Sequence, residues 1–140
     1  MRVMVIVKAN KDSEAGILPS RELLAEMGQF NEELVKAGVM LAGEGLQSTS
    51  QGVRVRFGGG TGEATKGPFS LTRDIIAGYW IWQVRSVDEA VEWIRRSPFR
   101  KGEEEIEIRR VFEAPDFGDN LTPELQRQAE SQRERIATHH

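Results

Sequence analysis

The first apolar segment of the chain is short and unbroken. Residues 3–7 (VMVIV) are all apolar and mostly β-branched. Because neighbouring residues of a strand point to opposite faces, this run predicts a strand that is covered on both sides. The polar residues 10–16 that follow are predicted to form a loop.

A helical pattern begins after this loop. Pro19 and Ser20 are typical of a helix start, and Gly38 suits the left-handed position after a helix end. One face of the predicted helix carries apolar residues spaced by three or four, namely Leu23, Met27, Phe30 and Leu34, with Leu24 and Val35 beside them. Gly28 costs about 1 kcal/mol relative to alanine in a helix. We therefore expect something to pack closely against it.

Three segments of strand-like composition occupy the middle of the chain. Residues 39–46 are mostly apolar, whereas residues 53–57 alternate strictly, with valine and phenylalanine on one face. The glycine-rich residues 58–62 predict a loop or hairpin tip. Residues 75–84 (IIAGYWIWQV) have the strongest strand character and are apolar on both faces.

The remaining elements are a helix, a strand and a C-terminal helix. Ser86 and Glu89 have the spacing of a capping box, which predicts that a helix starts there. Residues 105–112 predict the last strand, and residues 114–120 a linker. A threonine cap and a proline in the first turn predict a final helix over residues 122–136.

The predicted order is βα, then ββ with an inserted β-hairpin or loop, then αβ, then a C-terminal helix. This is the βαββαβ order of a ferredoxin-like α+β fold. Its helices cover one sheet face, but two of its strands are apolar on both faces. A second copy of the chain is the simplest cover for the other face, so we predict a homodimer. We assign residues 1–114 to this domain and residues 115–140 to a linker and helix that pack on the domain or on the partner subunit.

The composition restricts the classes of function. The 140 residues suffice for one domain, and their net charge of −3 argues against a nucleic-acid binder, which would carry a basic surplus. The chain has no cysteine, and its two histidines are residues 139 and 140. We therefore expect no thiolate or histidine metal site and no cysteine or histidine catalysis inside the fold. Since no nucleotide motif is found either, we expect no cofactor.

Apolar runs in the chain are short. The longest early run has five residues, which is less than the core of a signal peptide and far less than a membrane-spanning helix. We therefore expect a cytoplasmic protein with no membrane partner.

Glu44 is a candidate catalytic residue. It lies in a predicted strand between Gly43 and Gly45, and small neighbours let a ligand or another backbone approach. A partly buried carboxylate at such a place could transfer protons. The alternative is a structural ion pair with one of three arginines: Arg54, Arg56 or Arg109.

The segment from Lys66 to Phe69 is a candidate ligand-binding turn. Gly67-Pro68 predicts a fixed turn that delivers Phe69 to one place. Phe69 then forms the wall of a ligand cleft, with Lys66 as an anion contact, or it merely plugs the edge of the barrel.

Other features have a functional and a structural interpretation. Arg54 and Arg56 share a strand face, where they could clamp a carboxylate or simply be solvated. Trp80 and Trp82 also share a face, where they could stack on an aromatic ligand or belong to the core. The glycine-rich residues 58–62 lack the lysine and serine or threonine of a phosphate loop, which favours a hairpin tip. Two further carboxylates, Asp12 and Asp74, have no assignable partner and are expected in solvent.

Seven short segments form a recognisable series. They are residues 30–34 (FNEEL), 37–39 (AGV), 42–46 (AGEGL), 67–69 (GPF), 77–80 (AGYW), 88–90 (DEA) with Trp93, and 113–124 (EAPDFGDNLTPE). Their order and spacing resemble the YCII-related family, in particular its DGPF-domain branch. The resemblance covers nearly the whole chain.

The resemblance implies a ferredoxin-like subunit that dimerises through its sheet as a dimeric α/β barrel, with a small-molecule cleft between helices and sheet. Some relatives are similar to isomerases, cyclases or dehalogenating enzymes of aromatic breakdown. Others have no established activity, and some are encoded beside alternative sigma factors. Lys66 stands where the family usually has aspartate, and Leu71 where an acidic residue is common. The histidine of the His–Asp pair associated with the short enzymes of the family has no internal counterpart here.

Together these features predict a protein that binds a small organic ligand, aromatic or acidic, in a barrel cleft. It is either a cofactor-free acid–base isomerase or lyase, or a non-catalytic regulatory or interaction module. The missing histidine and acidic residues favour the module more than they would in a typical relative. In the catalytic alternative Glu44 is the catalytic residue, no metal is bound, and the ligand contacts are Lys66, Gly67, Pro68, Phe69, Arg54 and Trp80.

Overall fold

The structure, a computed structural model, describes residues 1–139 and divides the chain into two units, Met1–Arg110 and the residues from 111 onward. The strands of the first unit are β1 (Arg2–Lys8), β2 (Met40–Gly45), β3 (Val53–Arg56), β4 (Glu63–Lys66), β5 (Ile76–Gln83) and β6 (Ile106–Arg110). Its α-helices are α1 (Lys11–Glu14), α2 (Arg21–Lys36) and α3 (Val87–Arg95). Short 3-10 helices form at Thr49–Gln51 and Pro98–Lys101.

Four of the strands form one antiparallel sheet in the order β2-β5-β1-β6. With α2 after β1 and α3 after β5, this is the ferredoxin-like βαββαβ arrangement, and the predicted fold class is confirmed. The remaining strands, β3 and β4, pair with each other as a separate hairpin inserted between β2 and β5. Its tip contains the glycine-rich residues 58–62, as predicted.

The core lies between one sheet face and the two long helices. Val3 and Val5 of β1 stand opposite Trp82 and Trp80 of β5, so that all four side chains share this face. They pack with Phe30 and Leu34 of α2 and Ala90 of α3. Trp80, Trp82 and Phe30 form an aromatic cluster with ring centroids 5.4–6.3 Å apart.

The opposite face of the sheet, here called the open face, carries alternate residues of the same strands. Met4 pairs with Ile81 and Arg109, whereas Ile6 pairs with Tyr79 and Glu107. Because α2 and α3 both pack on the core face, this apolar centre with a charged edge receives no cover from either helix. The sequence expectation of strands that are apolar on both faces therefore holds for β1 and β5.

The segment after β1 differs from its prediction. Residues 10–16 were expected to form a loop, but Lys11–Glu14 make one helical turn. A capping box explains the turn, because Asn10 Oδ1 accepts from Ser13 N at 2.9 Å and Asn10 N donates to Ser13 Oγ at 2.9 Å.

One of the two hydrogen bonds of the capping box predicted for α3 is formed, and the other goes to a neighbouring residue. Ser86 Oγ accepts from Glu89 N at 3.1 Å, but the Glu89 carboxylate accepts from Arg85 N at 2.8 Å, one residue before the cap. This backbone hydrogen bond, helped by the Arg85 side chain, lowers the pKa of Glu89 below its ordinary value.

Helix α2 begins after Ser20 and ends before Gly38, as predicted, with Gly38 at φ +72°. Two details of its prediction are wrong. Leu24 and Val35 are exposed rather than part of the buried stripe. Gly28 is also exposed, and within residues 1–139 no atom outside its chain neighbours and the adjoining backbone of α2 lies within 4 Å of a Cβ built there. The reason is that the core stripe follows Phe30 and Leu34, and the three other residues lie to one side of it.

Alanine at position 28 should therefore stabilise the protein. We expect Gly28→Ala to raise the free energy of unfolding by about 0.5–1 kcal/mol, because the new methyl meets no neighbour and the unfolded chain loses freedom. Urea denaturation measures the change. Gly38→Ala is the control and should destabilise, because φ is +72° there. Destabilisation by Gly28→Ala would show that this face of α2 is covered.

The second unit contains α4 (Pro123–Thr138), preceded by 3-10 turns over Ala114–Asn120. Thr122 caps α4 by accepting from Leu125 N at 3.2 Å, as its sequence predicted. Phe112 and Phe117 stack with centroids 4.7 Å apart.

Candidate functional site

The Gly67-Pro68 turn lies directly against the turn at residues 49–52. Gly67 N donates to Gly52 O at 2.9 Å, next to the pairing of Lys66 with Val53. A Cβ on Gly67 would overlap the carbonyl oxygen of Thr49 and lie 2.7 Å from its carbonyl carbon. Only glycine allows this approach of two backbones. The peptide bond between Gly67 and Pro68 is cis.

Thr49 connects three segments that are far apart in sequence. Its backbone N donates to Glu14 Oε1 at 3.0 Å, and its hydroxyl donates to Glu14 Oε2. The same hydroxyl oxygen accepts from Phe69 N at 3.0 Å. Glu14 and Thr49 thus hold the backbone of Phe69 in place, and we call these three residues the Glu14–Thr49–Phe69 strut.

Arg54 covers the ring that the strut positions. Its guanidinium carbon lies 3.9 Å from the centroid of the half-buried Phe69 ring. Such a cation–π contact contributes about 0.5–1 kcal/mol at an exposed site. Among residues 1–139, Arg54 forms no ion pair, so its N–H donors remain available to an anion.

A cavity of about 490 Å³ opens beside this pair, between the end of β2, the turn at residues 49–52 and the start of β5. Its apolar lining comes from Leu46, Phe69, Ile75 and Ile76. Its polar lining includes Arg54, Asp74, Gln47 and Gln51. The volume lies within the range of small-molecule sites. The lining also suits a small organic molecule, because ligand sites are mostly apolar clefts with a few polar groups.

The structure brings together some of the predicted site residues. Arg54 and Phe69 both line the cavity, and Gly67 and Pro68 form the turn that leads to Phe69. Lys66 is exposed at the end of β4 and does not contribute to the lining.

Trp80 lies elsewhere, in the core. It is 6% exposed, and its indole Nε1 donates to Asn31 Oδ1 at 3.0 Å. Trp80 belongs to the core face of β5 because it stands opposite Val5. This position agrees with the interpretation of Trp80 as a core residue and not with the one in which it stacks on a ligand.

Glu44 is exposed on β2, opposite Tyr79 on the open face. Within residues 1–139 its carboxylate makes no hydrogen bond or ion pair, so the alternative of a structural ion pair with an arginine is wrong. The topology explains this: Arg109 is on β6, at the other edge of the sheet, and Arg54 and Arg56 belong to the separate hairpin. Glu44 precedes Gly45, which lines the cavity, but does not line it itself.

Two polar residues of this region, Glu14 and Thr49 of the strut, were not singled out by sequence. Asp74 was named only as a carboxylate expected in solvent; it is exposed, and it also lines the cavity. The sequence contained one indication of this place, because Asp74 directly precedes the segment with the strongest strand character and therefore lies where that strand begins.

Neither a metal cluster nor a membrane span is found in the part of the chain that the structure describes. Residues 1–139 hold no group of three or more His, Cys, Asp or Glu side chains placed to bind a metal ion. None of their helices is both long and apolar enough to cross a membrane.

The chain is similar to a solved enzyme structure. This is 5-chloro-2-hydroxyhydroquinone dehydrochlorinase from Burkholderia phenoliruptrix AC1100, in complex with 2,5-dihydroxybenzoquinone. The two share 19% identity with a TM-score of 0.47, over 81% of this chain and 96% of the other. No curated protein matches the chain.

The family comparison agrees with the observed topology. The model of the YCII-related domain matches residues 1–115, which contain the whole four-stranded sheet, both long helices that pack on it and the cavity. The chain therefore belongs to the YCII-related family.

Proposed function

We propose that this protein binds a small organic acid in the cavity beside Phe69. The observation that carries the proposal is the Arg54 guanidinium over the Phe69 ring, without a carboxylate partner in residues 1–139, at the wall of a cavity of about 490 Å³. A guanidinium binds carboxylates through paired hydrogen bonds, and an aromatic wall accommodates a flat apolar body. The Gly67-Pro68 turn and the strut keep both features in place.

Ligand titration tests this proposal. Benzoate serves as an aromatic carboxylate and 2-oxoglutarate as a 2-oxo acid, with calorimetric Kd values as the readout. Arg54→Gln should weaken binding of the better probe about tenfold, because the charge-assisted hydrogen bonds are lost. Arg56→Gln is the matched control, since Arg56 is also exposed on β3 but does not line the cavity. Equal affinities of the two variants would refute the proposal.

We further propose a homodimer in which the open faces of two sheets meet, as in a dimeric α/β barrel. The support is the pair of apolar residues Met4 and Ile81 on the open face, which are only partly buried and which neither α2 nor α3 covers; Ile6 beside them is already buried. A stable interface of this kind buries about 1,600 Å² or more.

Sedimentation at micromolar concentration should give twice the subunit mass of 15.8 kDa. Ile81→Glu should yield monomers, because a charge at the centre of an apolar interface is costly. Leu18→Glu should leave the dimer intact, since Leu18 lies on the loop before α2 and not on the open face of the sheet. A wild-type monomer would contradict the dimer without affecting the ligand site.

The reaction class that we propose is a cofactor-free isomerisation or elimination by acid–base chemistry. Glu44 is the proposed proton carrier for a ligand that extends beyond the cavity past Gly45, because Glu44 is unpaired but does not line the cavity itself. Glu44→Gln should abolish turnover of a bound acid, followed by NMR of the ligand, and should leave its Kd unchanged.

A non-catalytic interaction module is the second candidate. One observation favours it: Val53, Val55 and Phe57 of the hairpin are 53–78% exposed, and exposed apolar rows are typical of contact surfaces. A wild-type protein that binds a probe but never converts it would support the module.

A further inference from the structure

We infer that Asp74 makes the cavity selective for organic acids that carry a second polar group able to donate a hydrogen bond. The carboxylate of such a ligand contacts Arg54, and its hydroxyl or amino group contacts Asp74. This inference rests on the proposed ligand site and narrows its ligand class.

The backbone on both sides of Asp74 is anchored. Its own N donates to Thr72 Oγ1 at 3.2 Å, and Ile75 N donates to Thr72 O at 3.2 Å, which closes a turn. Ile75 O in turn accepts from Ala9 N at 2.9 Å. Asp74 is therefore held at the start of β5, where it lines the same cavity as Arg54.

The nearest cation in sequence is already occupied. Arg73 donates to both carboxylate oxygens of Glu105, with Nε–Oε1 3.2 Å and Nη2–Oε2 2.6 Å. These hydrogen bonds raise the pKa of Arg73 above its ordinary value. Within residues 1–139 the Asp74 carboxylate accepts no hydrogen bond and forms no ion pair, although as a carboxylate it can only accept.

The cavity is thus lined by one guanidinium with free donors and one carboxylate with free acceptors, and its other lining residues are uncharged. A simple monocarboxylate would satisfy Arg54 but place an anion and apolar atoms near Asp74. A hydroxy or amino acid satisfies both groups. Because Asp74 is exposed, the preference comes from the added charge-assisted hydrogen bond to its carboxylate, which the analogue without a hydroxyl or amino group lacks.

Calorimetric titration with benzoate, the three hydroxybenzoate isomers and the three aminobenzoate isomers tests the inference. At least one substituted isomer should bind wild type about tenfold more tightly than benzoate. Asp74→Ala should remove this preference, and benzoate itself should bind no more weakly, because a nearby negative charge is gone. Asp88→Ala is the control: it removes the same charge from an exposed residue outside the cavity and should keep the preference.

The outcomes distinguish a failure of the role of Asp74 from a failure of the ligand site. Benzoate binding with no preferred isomer, or a preference that survives Asp74→Ala, overturns the role of Asp74 and leaves the ligand site standing. If neither 2-oxoglutarate, benzoate nor any substituted isomer binds wild type at up to about 10 mM, where even a weak site would respond, both fail; binding of 2-oxoglutarate alone overturns only the role of Asp74. A preference for amino over hydroxyl isomers would identify the donor as nitrogen and supports the inference equally.

Discussion

Replacing Trp82 with alanine is expected to lower the free energy of unfolding by about 3–5 kcal/mol. Trp82 is fully buried in the core, with its ring centroid 5.4 Å from that of Trp80 and 6.3 Å from that of Phe30. Its removal leaves a large cavity between the sheet and α2, which close-packed neighbours fill only in part. Urea denaturation followed by far-UV circular dichroism measures the loss.

Two controls separate this packing effect from others. Trp82→Phe should cost less, because most of the ring remains and the indole Nε1 has no hydrogen-bond partner among residues 1–139 to lose. Leu18→Ala, at an 85% exposed position, should change the stability by less than about 0.5 kcal/mol. A loss below about 1 kcal/mol for Trp82→Ala would be too small for a core position and would contradict the assignment of this face as the core.

Replacing Gly67 with alanine is expected to destabilise the protein and to abolish probe binding together. The added methyl would overlap the carbonyl oxygen of Thr49, so the two turns must separate. Crowding of this kind costs about 1–3 kcal/mol or more when backbone must move. The movement would also break the hydrogen bond from Phe69 N to Thr49 Oγ1 and carry the aromatic wall away from its place. Urea denaturation and benzoate titration measure the two effects.

Gly58→Ala is the matched control for this substitution. Gly58 is a loop glycine of the same hairpin, without a positive φ, and nothing lies within 4 Å of a Cβ built there. Its replacement should leave stability and binding unchanged. If Gly67→Ala behaved like this control, the close approach of the two turns would be incorrect.

Most of the fold could be predicted from the sequence, because it depends on local patterns. The apolar runs of β1 and β5, the helical spacing of α2 and the caps at Ser20 and Thr122 each act within one element. The errors in α2 arose because its apolar pattern is compatible with a wide or a narrow buried face. Leu24 and Val35 fit the periodicity of α2, but a narrower stripe fills the space above the sheet.

The site was less predictable, because it is assembled from distant segments. Phe69 and Arg54 could be singled out, since a Gly-Pro turn and an alternating strand are local signals. The strut from Glu14 to Thr49 joins residues 35 positions apart, and no local pattern indicates it. The place of Trp80 depends on which side of β5 faces the helices, and the place of Asp74 depends on how the hairpin lies against the sheet edge. Both are determined only by the assembled structure.

The most direct test of the proposed binding site is an NMR titration of ¹⁵N-labelled protein with benzoate. We expect the amide shifts to concentrate at residues 45–54, Phe69 and residues 74–76, which surround the cavity. Benzoate-induced shifts confined to the smaller cavity of about 370 Å³ near Met1 and Glu89, or to the open face of the sheet, would contradict it.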